Sequence, residues 1–433
     1  MTDHAARKSA VAAAPLVESP PQRHGIFSRL GALDSPRYRR FWLGSLAAVG
    51  GTQLVTLGIG WLVFQLTDSP FNLGLVGAAT AIPTILVNLF GGVMADRLDR
   101  RLLLIGTSLL AAVLLAVLAV LDATGVVRVW HVVAIAVGLG LVYGLDWPTR
   151  NAFFPALISR DQLRSAVALN SVLWQGTRIV APFFGGLAIA ALGTDFVFVA
   201  GAVGFLLMCS VLLSLRVPAA GARAARNVGR ELSEGIRYIA GNRIFAVLIP
   251  LTFANMFFGL EYIQLMPAFA SSFFPDDADA ASRALGTLFA ATGVGAVLGT
   301  FASTKMQGMS RLGWTMLGSQ LLLVAAVWAF AASSSYNVAI PMVFLVGLFS
   351  SVFLINSMTV LQMKVDDRLR GRVMGIHGIT FSLIPLGGLF GGAIAEVAGV
   401  QAAVSISAGI LASIVLIVAL TQREVRDLDG RKT

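Results

Sequence analysis

Charge is what this 433-residue sequence has least of. Charged side chains make up 12% of it, about half the roughly 25% of a typical soluble domain. A soluble fold of this length could not cover its surface with so few charges, which excludes a chain of two or three soluble domains. Cysteine is nearly absent too. Cys209 stands alone in an apolar run, so an intrachain disulfide and a multi-cysteine metal site are both excluded. With His4, His24, His131 and His377 as the only histidines, no zinc or haem motif can be assembled. No Ser/His/Asp set and no nucleotide-phosphate loop stands out. An enzyme, a bound cofactor and ATP as energy source are therefore not expected.

What is present is apolar. Hydrophobic residues reach 57% and mean hydropathy is +0.81. Runs long enough to cross a bilayer as helices predict an all-α membrane protein. Twelve such runs fall at roughly 41–66, 71–95, 102–122, 129–149, 165–191, 195–216, 244–272, 285–304, 312–332, 338–362, 373–397 and 400–421. Residues 1–35 have no apolar core near Met1, so they read as a disordered tail rather than a signal peptide. The expected plan is a six-helix bundle over 36–216, a linker over 217–243, a second bundle over 244–421 and a short tail over 422–433. Within the linker, Gly229–Arg243 reads as an amphipathic surface helix.

The net charge of +10 then becomes a statement about orientation. Of the 32 basic residues, all but Arg128, Arg178 and Arg283 fall in the two tails and in alternate connections. By the positive-inside rule that side is the cytoplasm, with both termini on it, and the membrane is the plasma (inner) membrane. The excess therefore gives no support to a nucleic-acid partner. The expected partners are the lipid bilayer, protons and a small-molecule substrate, and the protein is expected to be a monomer.

An internal repeat supports the six-plus-six plan. Residues 161–186 align with 367–392 without gaps. Asp161, Leu163, Arg164, Val167, Phe184, Gly185 and Gly186 fall on Asp367, Leu369, Arg370, Val373, Phe390, Gly391 and Gly392. A weaker echo places Gly74…Ala78-Ala79-Thr80 on Gly286…Ala290-Ala291-Thr292. Parallel repeats of this kind point to a transporter built from two pseudo-symmetric halves.

Polar groups inside spans map the aqueous path, because hydrocarbon penalises them. Helices three, six and twelve have no charged or amide residue in their interiors, and helix nine has only Gln320, so these read as lipid-facing walls. The candidates for a substrate cavity are Gln53, Trp61, Asn170, Trp174, Arg178, Phe257, Gln264 and Asn356. Arg178 lies about 21 Å along a helix from Arg164, near mid-membrane. Asn170, Trp174 and Arg178 form one stripe. Pro182, Gly185 and Gly186 follow and are expected to bend or loosen the upper half of that helix. Glu261 is the only carboxylate well inside a span, and Phe257, Glu261 and Gln264 are expected to share a face. One reading puts Arg178 and Glu261 on opposite halves of a central cavity. The other makes Arg178 a structural residue bonded to backbone carbonyls and puts Glu261 at the outer mouth. The candidates for a proton carrier are Glu261 first, then Asp146 and His377.

The connection between helices two and three reads Gly92-Val-Met-Ala-Asp96-Arg97-Leu-Asp99-Arg100-Arg101. This resembles the signature loop of the major facilitator superfamily, with Asp99 where the family usually has glycine. The resemblance implies that Asp96 caps the start of helix eleven around Gly371–Val373, and that Arg97 or Arg101 approaches Asp146, with Arg150 joining them. Together Gly92, Asp96, Arg97, Arg100, Arg101, Asp146 and Arg150 would latch the cytoplasmic side. Ala181-Pro182-Phe-Phe-Gly185-Gly186 is similar to the family's exporter-associated signature, with alanine in place of the first glycine. The stretch 144–186 looks like the branch of bacterial siderophore and macrolide exporters. Helix one lacks the acidic residue that many proton-driven drug exporters carry. The expected function is a proton-coupled exporter of hydrophobic or amphipathic molecules working by alternating access. An importer or lysophospholipid flippase of the same fold, or a non-transporting receptor or scaffold, are the alternatives.

Overall fold

The computed structural model describes residues 31–97, 99–215, 228–306, 309, 311–366 and 368–430; of residues 89–97, 160, 228, 230 and 231 it describes the backbone alone. Six helices cross first: α1 (Pro36–Thr67), α2 (Pro70–Arg97), α3 (Arg100–Ala123), α4 (Val129–Phe153), α5 (Leu163–Leu192) and α6 (Thr194–Ser214). The linker helix α7 (Val228–Gly241) follows. The seventh span is α8 (Arg243–Ala254), a π-helical turn at Asn255–Gly259, and α9 (Tyr262–Phe273). Then come α10 (Ala278–Met306), α11 (Leu312–Ala331) and α12 (Tyr336–Lys364). The eleventh span is α13 (Arg370–Gly378), a 3-10 turn at Ile379–Ser382, and α14 (Leu383–Ala398); α15 (Val400–Thr421) and the short α16 (Arg423–Arg426) complete the chain. Twelve of these segments are long and apolar enough to span a bilayer, as the sequence predicts. The start of α1 and the end of α15 share one end of the bundle, called here the termini end; the opposite end is the far end.

Local chemistry sets the boundaries. Ser35 caps α1 by accepting from the Tyr38 amide at 3.4 Å, and Pro36 supplies the first turn. Asp99, at the position where a glycine is usual, caps α3 through the amides of Arg101 (2.8 Å) and Leu102 (3.4 Å). The repeat extends into the turns. Gly193 (φ 92°) joins α5 to α6, and Gly399 (φ 85°) joins α14 to α15 at the equivalent position of the second half. Both need a backbone conformation that side-chain-bearing residues rarely adopt.

Lipid tails are as apolar as leucine, so helices in a bilayer associate through close packing and hydrogen bonds. Tyr38 and Trp42 strap α1 to α5 by donating to the carbonyls of Ala166 (3.0 Å) and Leu169 (3.1 Å). The linker helix docks on the start of the eleventh span: Gly235 lies against Ile376, and Glu234 pairs with Arg372. The C-terminal tail is folded rather than loose. Leu428 accepts from the Gly313 amide (3.2 Å), and Arg426 lies over the Trp314 ring at 5.7 Å.

Candidate functional site

The first polar cluster lies within the N-terminal half. Arg150 is buried on α4 and holds both carboxylate oxygens of Asp146, at 2.9 and 3.0 Å. Its remaining terminal nitrogen donates to Ser45 Oγ of α1 at 2.9 Å, and Thr107 of α3 lies 3.4 Å from Asp146. A bidentate pair with its spare donor satisfied is a tie between helices. The expected approach of Arg101 to Asp146 does not occur. Arg101 instead donates to the carbonyls of Leu212 (2.7 Å) and Leu213 (2.8 Å), where the end of α6 leaves acceptors free. Arg100 donates to the Ala152 carbonyl at 3.0 Å. Gly92, Asp96 and Arg97 lie in the last turns of α2, where the backbone alone is described, so the expected contacts of Asp96 and Arg97 fall outside the described residues.

The two halves meet at a pair of helix crossings near the far end. In one, α5 crosses α10: a Cβ on Gly186 would stand 2.5 Å from the Ser282 carbonyl, and one on Gly286 would stand 2.6 Å from the Pro182 carbonyl. In the other, α2 crosses α14: a Cβ on Gly74 would lie 2.4 Å from the Gly388 carbonyl, and one on Gly392 would lie 2.5 Å from the Pro70 carbonyl. Gly186 and Gly392 are repeat mates, and so are Gly74 and Gly286. The repeated motifs are thus the contact surface between halves. Gly185 packs instead on Leu54 of α1 within its own half. Pro182 does not break its helix, since α5 runs unbroken from Leu163 to Leu192.

A carboxylate seals the second crossing. Glu396, at the end of α14, accepts from Ser69 Oγ (2.8 Å) and from the Phe71 amide (3.2 Å), so it caps α2 across the halves. Gln264 adds a second bridge, donating to the Leu73 carbonyl at 3.3 Å.

Deeper in the seam stands Arg178. It borders a small cavity of about 30 Å³ whose other walls come from the C-terminal half, among them Met256, Thr292, Ser350 and Ser351. Among the described residues no carboxylate pairs with it. Tyr262 is fully buried close by, beside Thr292 and with its ring against Phe330, but it does not line that cavity. Sequence reasoning missed Thr292, Ser350 and Ser351; their apolar surroundings carry no signal, and only the helix packing brings them to Arg178.

Glu261 turns elsewhere. It is 1% exposed, neither carboxylate oxygen has a hydrogen-bond partner, and its carboxylate lies against Gly391 of α14 with Ser407 of α15 nearby. Phe257, Glu261 and Gln264 do share a face, but that face packs on Gly387, Gly391 and Gly388 of α14. Adjacent residues on a helix point about 100° apart, so Leu260 and Ile263 line the seam cavity while Glu261 points to α14. The Arg178–Glu261 cavity anticipated from sequence is therefore not formed, and neither residue takes the structural or outer-mouth place that was its alternative.

The other candidates scatter. Trp61 is 2% exposed and belongs to the core of its half. Trp174 is half-buried and stacks edge-on against Trp147 at 4.7 Å, while Gln53 and Asn170 are half-buried. Phe257 joins Phe258 and Phe390 in an aromatic cluster. Asn356 is fully buried and donates to the Val352 carbonyl at 2.8 Å, with its oxygen unpartnered. His377 is buried, with Nε2 unpartnered. Gln320, on a helix read as a lipid-facing wall, is fully buried and accepts from Asn255 at 2.8 Å.

Two bundles meeting along a seam, with an unpaired arginine in it, form the architecture of a solute carrier. The sequence profile of the transmembrane secretion effector family matches residues 27–432. The chain belongs to that family. It is similar to the staphyloferrin A transporter of Staphylococcus aureus, at 24% identity over 84% of this chain and 91% of that protein. The multidrug efflux pump Tap of Mycolicibacterium fortuitum is 27% identical over 83% of this chain and 89% of its own. The enterobactin exporter EntS of Shigella flexneri is 24% identical over 79% of this chain and 80% of its own. Among solved structures, a bacterial homologue of the lysosomal transporter Spinster, inward-facing and occupied, superposes with a TM-score of 0.72. It is 17% identical and covers 91% of this chain and 98% of its own. The nucleoside transporter NupG gives 0.71 at 14% identity over 89% and 99%. This secretion effector thus has the major facilitator fold, and it is an inner-membrane transporter rather than an enzyme.

Proposed function

We propose that this secretion effector exports hydrophobic or amphipathic small molecules by alternating access, driven by protons. The observation that carries the reading is the seam itself. The halves close on each other through the Gly186–Gly286 and Gly74–Gly388 crossings at the far end, with a small, largely apolar cavity at Arg178 deeper in the seam. A site sealed from one end and able to be unsealed is what alternating access requires. The concentration of basic residues in the tails and alternate connections supports a cytoplasmic termini end, and in that reading the sealed end faces outward. Export is favoured by the relatives, among which one is an enterobactin exporter and another a multidrug efflux pump.

Glu261 is the proposed proton carrier. Among the described residues it is a buried span carboxylate with no cation beside it and only Ser407 nearby, whereas Asp146 is committed to Arg150. The π-helical turn just before it is a frequent companion of functional sites. The test is uptake of a fluorescent amphiphile into inside-out membrane vesicles energised by a pH gradient. Export predicts gradient-dependent accumulation, and Glu261→Gln should fold and insert normally yet lose that dependence. Accumulation only in right-side-out vesicles would make the protein an importer. Unchanged gradient-driven uptake by Glu261→Gln would remove this residue from the coupling.

A further inference from the structure

Arg178 is a guanidinium held at mid-span with no carboxylate beside it. A charge there is costly, and such residues usually pair with one another or line a substrate path. The other groups around it decide which ligand would complete it. Thr292 has spent its hydrogen on the Leu288 carbonyl (2.9 Å), and Ser350 has spent its hydrogen on Asn255 Oδ1 (3.4 Å). Ser351, on the same wall, makes no hydrogen bond among the described residues. The site therefore holds one fixed positive charge and no fixed negative one. Asp146 is locked to Arg150, and Glu261 lies against α14, so neither supplies the missing negative charge.

From this arrangement we infer that Arg178 is the anchor for an anionic group of the transported molecule, and that the preferred substrates are amphipathic organic anions. The inference rests on the exporter reading and narrows it. The cavity of about 30 Å³ has room for one small polar group, so it takes an anionic head and not a whole ligand. Its remaining walls include Met256, Leu260, Ile263, Leu354, Phe381 and Ile384, so the head enters an apolar frame around Arg178 and the body of the ligand extends out of the cavity. A cationic amphiphile of the same size would meet Arg178 as a like charge, and a neutral one would leave it desolvated and unpaired. An inorganic anion shares the head-group chemistry but makes no use of the apolar walls.

The test pairs two dyes built on the same ring system, the anion carboxyfluorescein and the cation rhodamine 6G. Binding to the purified full-length protein is read by fluorescence polarisation. The wild type should favour carboxyfluorescein by at least about tenfold, and Arg178→Gln should lose at least about tenfold of that affinity while its rhodamine 6G binding does not fall. Arg178→Lys should recover part of the loss. Excess inorganic phosphate should displace the dye poorly. Equal displacement by phosphate would assign the site to a free inorganic anion and overturn the amphiphile. Equal affinity for both dyes, retained carboxyfluorescein binding in Arg178→Gln, loss of both dyes together, or no carboxyfluorescein binding up to about 1 mM would each overturn the inference. Transport is measured separately in inside-out vesicles. Charge-selective binding without transport would leave the anchor standing and overturn the exporter reading. Transport with no charge preference would do the reverse.

Discussion

Arg150 and Arg178 both sit inside membrane spans of the same half, and their surroundings differ in kind. Arg150 has a bidentate carboxylate, a serine hydroxyl and a place within one bundle. Arg178 has none of these and faces across the seam into the other bundle. The first pair ties α1, α3 and α4 together whatever the halves do. The second residue sees its neighbours only while the halves are in contact. Charges satisfied inside a half hold the fold, and charges left open between halves are free to serve a moving state or a ligand.

The largest expected effect comes from breaking the satisfied site. Arg150→Ala leaves Asp146 half-buried and unpaired, so a loss of about 3–5 kcal/mol is expected. It would be read as a sharp fall in the melting temperature and yield of the detergent-purified protein. Arg178→Gln should change stability by no more than about 1 kcal/mol in the same assay, since it removes a charge that has no partner. If the two variants melted alike, the division between fold charges and seam charges would fail.

The seam can also be attacked without touching a charge. Gly286→Val forces carbon into the space held by the Pro182 carbonyl and Gly186, since its Cβ would stand 2.6 Å from that carbonyl. Overpacking of this kind costs about 1–3 kcal/mol, and here it falls on the closed far end rather than on either bundle. A spin-label distance between α5 and α10 at the far end should lengthen, while each half keeps its melting behaviour. Gly318→Ala, where nothing lies within 4 Å of the added carbon, is the control and should leave that distance unchanged.

How far these sites could be read from sequence follows from what each depends on. Span number, the division into halves and the depth of Arg178 follow from hydropathy and helix rise, which are one-dimensional. The repeat also gave Gly186 and Gly392, because close packing requires the same small residue in both halves. Rotation about the helix axis was not legible. Phe257, Glu261 and Gln264 were placed on one face, but which neighbour that face meets is set by the glycines of α14. The π-helical turn at Asn255–Gly259 shifts the register just before Glu261 and has no sequence signature. The family resemblance implies that Arg97 or Arg101 meets Asp146, whereas Arg101 is held by the free carbonyls that end α6.

Glu396 gives the smallest expected effect and the finest test of the comparison. It is a seam charge that does have partners, the Ser69 hydroxyl and the Phe71 amide of the opposite half. Because it is exposed to solvent, its charge is screened and its contribution is modest. A cap at a helix start acts through the amide dipoles of the first turn, so Glu396→Gln should keep the shape and lose most of the attraction. If Glu396 holds a state and not the fold, the variant should melt as the wild type does. Its far end should open more often, by no more than about fivefold, which corresponds to less than about 1 kcal/mol. Thiol labelling of Ser69→Cys would measure this, because the position is buried while the halves are closed. Ser69→Cys also removes the hydroxyl that Glu396 accepts from, so the comparison runs between Ser69→Cys alone and the double variant. The Phe71 amide then carries the whole of the remaining difference. Faster labelling with an unchanged melting temperature assigns Glu396 to the closed state; a lower melting temperature with unchanged labelling would return it to the fold.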